Sequence, residues 1–299
     1  MGDREGRLQR GGHDAAEVAD VHDDARHALA AAFDEVAHDD VDEAGGDGQF
    51  VHETRRRWNR RRGFFIPPLV TGRTDAGKDS SPWLLWQIMD SAFPVGSFAH
   101  SGGLEAAVQF GFVTDAHTLA EFLRVSLTQA ARLSAPFARA TAADPSTFVA
   151  ANERYDTLLV NDPANRASRA MGLAVLTAGD AMLPDAGLAG VRDTTRRATG
   201  FVHLPPAWGL LARAVGLDDV ATVDAFLFQH VRGLLSAAVR LNVVGPMQAQ
   251  CVLAALKVTR QDCIDLARRT TVDTATGTAP TLDLLQSLHE RLYSRLFNS

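Results

Sequence analysis

From Pro82 onward, apolar residues recur at intervals of three and four, and true two-residue alternation is hard to find, which is the spacing of amphipathic helices. Leu119, Phe122, Leu123 and Leu127 form one such stripe, and Phe148, Val149, Tyr155, Leu158 and Leu159 form another. Met171, Val175 and Met182 make a third. The longest is Val223, Phe226, Leu227, Val231, Leu234, Leu235 and Ala238, which predicts a helix over about 219–241. A last helix is expected from about Thr281, with Leu285, Leu288, Leu292 and Leu296 on one face. Boundary signals separate these stripes. Thr118 with Glu121 reads as a capping box. Asp144-Pro145 and Asn161-Asp162-Pro163 place a capping acceptor before a proline. Pro205-Pro206 opens a helix that Gly216 stops, Gly245-Pro246 breaks the long one, and Thr259 with Asp262 starts another. The pattern predicts an all-α fold, a single bundle-like domain of about nine or ten helices over residues 81–299. Small residues such as Ala130, Ala131, Gly233, Ala237 and Ala238 allow close helix approach.

Residues 1–80 follow a different pattern. To about Gly48 they are acidic and poor in large apolar side chains, too poor to offset a backbone ordering cost of roughly 1–2 kcal/mol per residue. A disordered arm is the expectation. It includes the run Arg55-Arg56-Arg57-Trp58-Asn59-Arg60-Arg61-Arg62, which reads either as a nucleic-acid or targeting patch or as a solvated charge block facing the acidic stretch. Without an aromatic platform beside it, and with a net charge of −6 for the 299 residues, the second reading is preferred and no nucleic-acid partner is expected. His13, His22, His27 and His38 are too irregularly spaced for a defined metal site. Cys251 and Cys263 form no CxxC pair and read as free, buried thiols of a reducing compartment. The chain lacks both an apolar run long enough to cross a membrane and a secretory leader, so a cytoplasmic location is expected. No cofactor, metal site or catalytic residue is expected.

Three stretches carry candidate chemistry. The first runs from Asp90 to Glu105 and contains Pro94, Gly96, His100, Ser101, Gly103 and Glu105. It reads as a helix ended by Pro94, a turn in which Gly96 takes a positive φ, and a new helix with Ser101 as N-cap and Glu105 in its first turn. Such a corner is either a structural joint or a rigid partner surface. It lacks the GK[ST] ending of a phosphate loop. An enzyme reading would gather Asp90, His100 and Glu105 in a pocket. The second stretch is Arg240 within an apolar run, either closing a helix C-terminus or facing a partner's nucleotide site. The third is the end of the chain, His289-Glu290-Arg291-Leu292-Tyr293-Ser294-Arg295-Leu296-Phe297-Asn298-Ser299, either a helix docked on its own core or an aromatic-and-arginine recognition segment.

Taken in order, WLLWQIMDSAFPVGSFAHSGGLE (83–105), RLNVVGP (240–246) and HERLYSRLFNS (289–299) resemble the UreF family of urease accessory proteins. The first resembles that family's P-x-G-x-[FY]-x-x-S-x-G-[LI]-E motif and the last its H-x-x-x-Y-S-R-L-F-x-S end. The resemblance covers about residues 82–299. It implies an all-α homodimer that bridges the UreD/UreH accessory protein and the nickel-carrying GTPase UreG and acts on apo-urease, where nickel and a carbamylated lysine are installed. It also implies that Arg240 occupies a basic position influencing the GTPase, often lysine in the family. Arg291, Tyr293, Ser294, Arg295, Leu296 and Phe297 fall in the tail that orders on UreD/UreH. The implied role is a non-catalytic scaffold, with a regulator of GTP hydrolysis as the alternative.

Overall fold

The computed structural model describes residues 83–299. The acidic arm, the arginine run and the four N-terminal histidines discussed above lie outside the described residues. Among the described residues there are helices and connections and no strand, as the apolar spacing predicts. The α-helices are α1 (Trp83–Met89), α2 (Leu104–Gln109), α3 (Ala116–Gln129), α4 (Ala135–Ala143), α5 (Phe148–Leu158), α6 (Asp162–Met182), α7 (Leu188–Thr199), α8 (Leu204–Ala214), α9 (Asp219–Arg240), α10 (Pro246–Ala255), α11 (Lys257–Arg269) and α12 (Pro280–Leu288). One turn of π-helix, Ala130–Ser134, makes α3 and α4 a continuous rod. The excess over nine or ten helices comes from short segments such as α1 and α2.

α8 is the centre of the packing. It lies closely against α4 and also against α6, and α9 packs against α4 as well. Gly209 on α8 permits the first contact: a Cβ there would sit 2.0 Å from the Ala138 carbonyl oxygen and 2.1 Å from Thr141 Oγ1. Thr141 Oγ1 uses that closeness to donate to the Pro206 carbonyl at 2.8 Å. Around this crossing, Phe122, Phe137, Phe148, Leu210 and Leu211 are fully buried, each worth roughly 1.5–3 kcal/mol of transfer free energy.

Several boundaries follow the expected signals. Asn161 Oδ1 accepts from the Ala164 amide ahead of Pro163, and Asp144 Oδ1 accepts from the Ser146 amide. Asp218 caps α9, α10 opens at Pro246, and Gly216 takes φ 82° after α8. Others differ. The box that starts α3 is Asp115 with Thr118, not Thr118 with Glu121, because the shorter carboxylate one turn earlier reaches the Thr118 amide at 2.9 Å. α11 starts at Lys257, before Thr259, directly off the end of α10. α1 stops at Met89, ahead of Pro94, where the side chains of Gln229 and Arg232 on α9 take the Ile88 and Met89 carbonyls at 2.6 and 2.5 Å. Cys263 is buried, its thiol pushed up to about 11 by desolvation, whereas Cys251 is exposed. No described helix is long and apolar enough to cross a membrane.

The largest departure is at the end of the chain. α12 finishes at Leu288, a single 3-10 turn covers His289–Arg291, and the remaining residues run non-helically. Leu296 is therefore exposed and Phe297 buried, the reverse of what a continued apolar stripe requires.

Candidate functional site

The three stretches singled out by sequence meet in one place. Gly96, at φ 75°, turns the chain into the 3-10 turn Ser97–Ala99, which packs on α9. Gly102 and Gly103 also hold positive φ (58° and 87°), and Gly103 is the N-cap of α2. Ser101 is thus not the N-cap; its backbone N–H donates to the Ser299 main-chain oxygen at 2.5 Å and its hydroxyl to the same oxygen at 3.1 Å. A side chain at Gly103 would be strained by its positive φ and tightly placed, its Cβ 3.1 Å from Gln286 Cγ and 3.3 Å from the Gln286 backbone nitrogen on α12. Pro94 is exposed between Phe93 and Val95, which are both buried.

The tail closes onto this loop. The Asn298 amide donates to the Ala99 carbonyl at 2.8 Å, and Gln109 Nε2 donates to the Ser294 carbonyl at 2.9 Å. His100 Nδ1 and Ser299 Oγ lie 2.6 Å apart. Burial first, and the neighbouring His289 second, lower the His100 pKa, so its neutral form is favoured here. At the bottom of the clasp lies Glu105, only 2% exposed. Its carboxylate accepts from His289 Nε2 at 2.8 Å, from the Leu296 amide at 2.6 Å and from the Phe297 amide at 3.2 Å. His289 is itself fully buried, and its Nδ1 has no hydrogen-bond partner among the described residues.

Arg240, at the last turn of α9, joins the same surface. It is a cation in the last turn of its own helix, and its side chain also reaches across to the opening loop. Its Nη1 donates to the Phe98 carbonyl, and its guanidinium lies 4.2 Å from the Phe297 ring centroid and 5.9 Å from that of Phe98. Arg291, Tyr293, Ser294, Arg295 and Leu296 point away from the core and are exposed, as is Phe98. The result is an aromatic-and-arginine patch on a clasped loop.

Asp90, His100 and Glu105 do not form a common catalytic pocket. Asp90 is exposed and accepts from the Ala92 amide at 2.6 Å, while His100 and Glu105 hold different parts of the tail. No group of three or more His, Cys, Asp or Glu side chains placed to hold a metal occurs among the described residues.

Sequence reading missed a second buried polar cluster. His203, fully buried, has Nε2 at 3.0 Å from Asp156 Oδ1 and Nδ1 at 3.1 Å from Ser168 Oγ. Asn152 Oδ1 accepts from the His203 amide at 2.7 Å, and Arg169 Nη2 donates to Asp156 at 2.6 Å. These residues are scattered over α5, α6 and the start of α8, so no linear motif announces them. Ser168 Oγ also accepts from the Leu204 amide at 3.2 Å, and the cluster ties three helices together. A cavity of about 210 Å³ lies between it and the clasp, with Ser168, Tyr155 and His230 on one part of its wall and His100 and Ser299 on another.

The model of the UreF family matches residues 113–257 of the chain. Urease accessory protein F of Oryza sativa subsp. indica is 33% identical over 223 residues, covering 73% of this chain and 85% of the plant protein. The protein of the same name from Arabidopsis thaliana is 32% identical over 221 residues, 73% of this chain and 92% of its own length. Urease accessory protein UreF of Paenarthrobacter aurescens (strain TC1) is 29% identical over 215 residues, covering 72% and 96%. With the helical fold, the clasped motif and tail, and relatives matched over most of their length, the chain belongs to the UreF family of urease accessory proteins.

Proposed function

We propose that this protein is a non-catalytic scaffold of urease maturation. It bridges the UreD/UreH accessory protein and the UreG GTPase so that nickel is inserted into apo-urease, with the helical unit over residues 81–299 carrying the role in the cytoplasm. The carrying observation is the convergence of the opening motif, Arg240 and the tail on one exposed surface. Interfaces favour aromatic and arginine anchors on a rigid support, and Tyr293, Arg295 and Phe98 are of that kind. Homodimerisation belongs to the same reading, and exposed Met247 on α10 and Val258 on α11 offer apolar surface for it. Nickel is cargo of the assembly in this reading and needs no dedicated ligand set on this chain.

Co-purification of the full chain with UreD/UreH and UreG tests the proposal. Deletion of residues 292–299 is expected to abolish UreD/UreH capture; unchanged capture overturns the assignment of the tail. The alternative, regulation of GTP hydrolysis through Arg240, finds less support, because its guanidinium is engaged by Phe98 and Phe297. GTP turnover by UreG with the native protein and with Arg240→Ala separates the two, since equal rates remove the regulator.

A further inference from the structure

Glu105 is an unusual residue to bury. Leu104, Ala106 and Ala107 around it are wholly enclosed, and a carboxylate among them is costly unless its oxygens are bonded. All three of its hydrogen-bond donors belong to the tail. One donor stands at the start of the tail (His289) and two near its end (Leu296 and Phe297), so a single carboxylate closes the loop at both ends. The alternative course is written in the sequence: Leu285, Leu288, Leu292 and Leu296 keep a helical stripe that invites α12 to continue. Continuation would commit the Leu296 and Phe297 amides to helix bonds. The observed course gives them to Glu105 and reverses which of the two side chains is buried.

We propose that Glu105 is a positioning residue for partner binding: by gathering His289 Nε2 and the amides of Leu296 and Phe297, it holds the tail off its helical course and determines that Tyr293, Arg295 and Leu296 are displayed. This rests on the reading of the tail as a docking segment. Glu105 touches no partner in this scheme and acts through the tail's shape. A glutamine keeps its size but places an NH₂ where one carboxylate oxygen faces an N–H, so one bond becomes a clash of donors.

The test uses the full chain and two readouts, amide hydrogen exchange and affinity for UreD/UreH. In Glu105→Gln, the Leu296 and Phe297 amides are expected to exchange at least about tenfold faster, with α4 and α8 amides unchanged, and affinity is expected to fall by about tenfold or more. His289→Gln, which keeps an N–H donor toward Glu105, is expected to retain both, and His289→Leu to lose both. This second pair decides the matter if Glu105→Gln fails to fold. Unchanged exchange at Leu296 and Phe297 in the folded Glu105→Gln chain overturns the proposal. Faster exchange with intact affinity also overturns it where deletion of residues 292–299 abolishes binding. If that deletion too leaves affinity intact, it is the docking role of the tail that fails.

Discussion

The guanidinium of Arg240 lies over the ring of Phe297, 4.2 Å from its centroid, so the last turn of the longest helix is fastened to the end of the tail. The same side chain donates to the Phe98 carbonyl in the opening loop. Its planar, delocalised charge suits both contacts at once, which an ammonium cannot match. Arg240→Ala is therefore expected to loosen the tail and weaken capture of UreD/UreH by about five- to tenfold, matching roughly 1 kcal/mol for an exposed cation–π contact. Arg240→Lys, which keeps the charge without the planar fork, should fall between the two. Titration calorimetry with the isolated partner checks the order, and a lysine variant weaker than the alanine variant would refute it.

At the centre of the fold, Gly209→Ala should be severely destabilising despite adding one carbon. The new Cβ would meet the Ala138 carbonyl at 2.0 Å, an atom of helix backbone that cannot rotate aside. α8 would have to withdraw from α4, which also lengthens the Thr141–Pro206 hydrogen bond. Overpacking of this kind costs about 1–3 kcal/mol, and more when backbone is the obstacle. Urea unfolding measures it. A control at Gly233, where an added Cβ meets nothing within 4 Å, should be neutral or slightly stabilising in its helix.

What could be read in advance depended on how locally each feature is encoded. The stripe from Val223 to Ala238 and the cap at Asn161 each depend on neighbours within a turn or two, and both match the structure. Helix ends depend on competition between nearby caps. Asp115 outranks Thr118 there, and Gly103 displaces Ser101 because Ser101 is taken by Ser299, 198 positions away. The tail departs from its spacing for the same reason: its apolar residues recur helically, and the groups that turn it aside, Glu105 among them, lie far away in sequence, 191 residues before Leu296 in that case. The Asp156–Ser168–His203 cluster is likewise assembled by tertiary contact alone. The motif, Arg240 and the tail were legible as candidates, but their meeting was not, since no spacing along the chain encodes it.

Capping at α3 offers a direct check of one such correction. Asp115 accepts from the Thr118 amide while Thr118 Oγ1 accepts from the Asp115 amide at 3.1 Å. The Thr118 amide first, and the Thr118 hydroxyl donating to Asp115 Oδ1 at 2.9 Å second, hold the Asp115 carboxyl below its usual pKa. Asp115→Ala is expected to lower the melting midpoint by about 2–4 °C, the size of a lost N-cap in a chain of this length. Glu121→Ala should leave it unchanged, because Glu121 is exposed and its ion-pair partner among the described residues is the likewise exposed His117, at 3.8 Å. Equal losses for the two variants would restore the Thr118–Glu121 box.

Acid sensitivity follows from the histidines on the inner wall. His230 lines the cavity with Nε2 at 2.8 Å from Ser126 Oγ, and burial lowers its pKa to about 4. His203 and His100 are shifted in the same direction, chiefly by burial. A histidine whose folded pKa lies below its unfolded value binds fewer protons when folded. Stability is then fully present above about pH 6.5 and declines as pH falls toward the folded pKa. Asp283, raised by burial, works in the opposite sense. Three histidines are shifted against this one carboxyl, so the acid limb is expected to follow the histidines. His230 alone should account for on the order of 2 kcal/mol, discounted because the cavity can admit water. His230→Gln keeps a neutral partner for Ser126 and removes the titration. Urea midpoints at pH 7.5, 5.5 and 4.5 should fall steeply for the native chain and less steeply for the variant. Parallel declines would show that His230 is protonated as readily in the folded chain as in the unfolded one, and that its burial against Ser126 does not govern the acid limb.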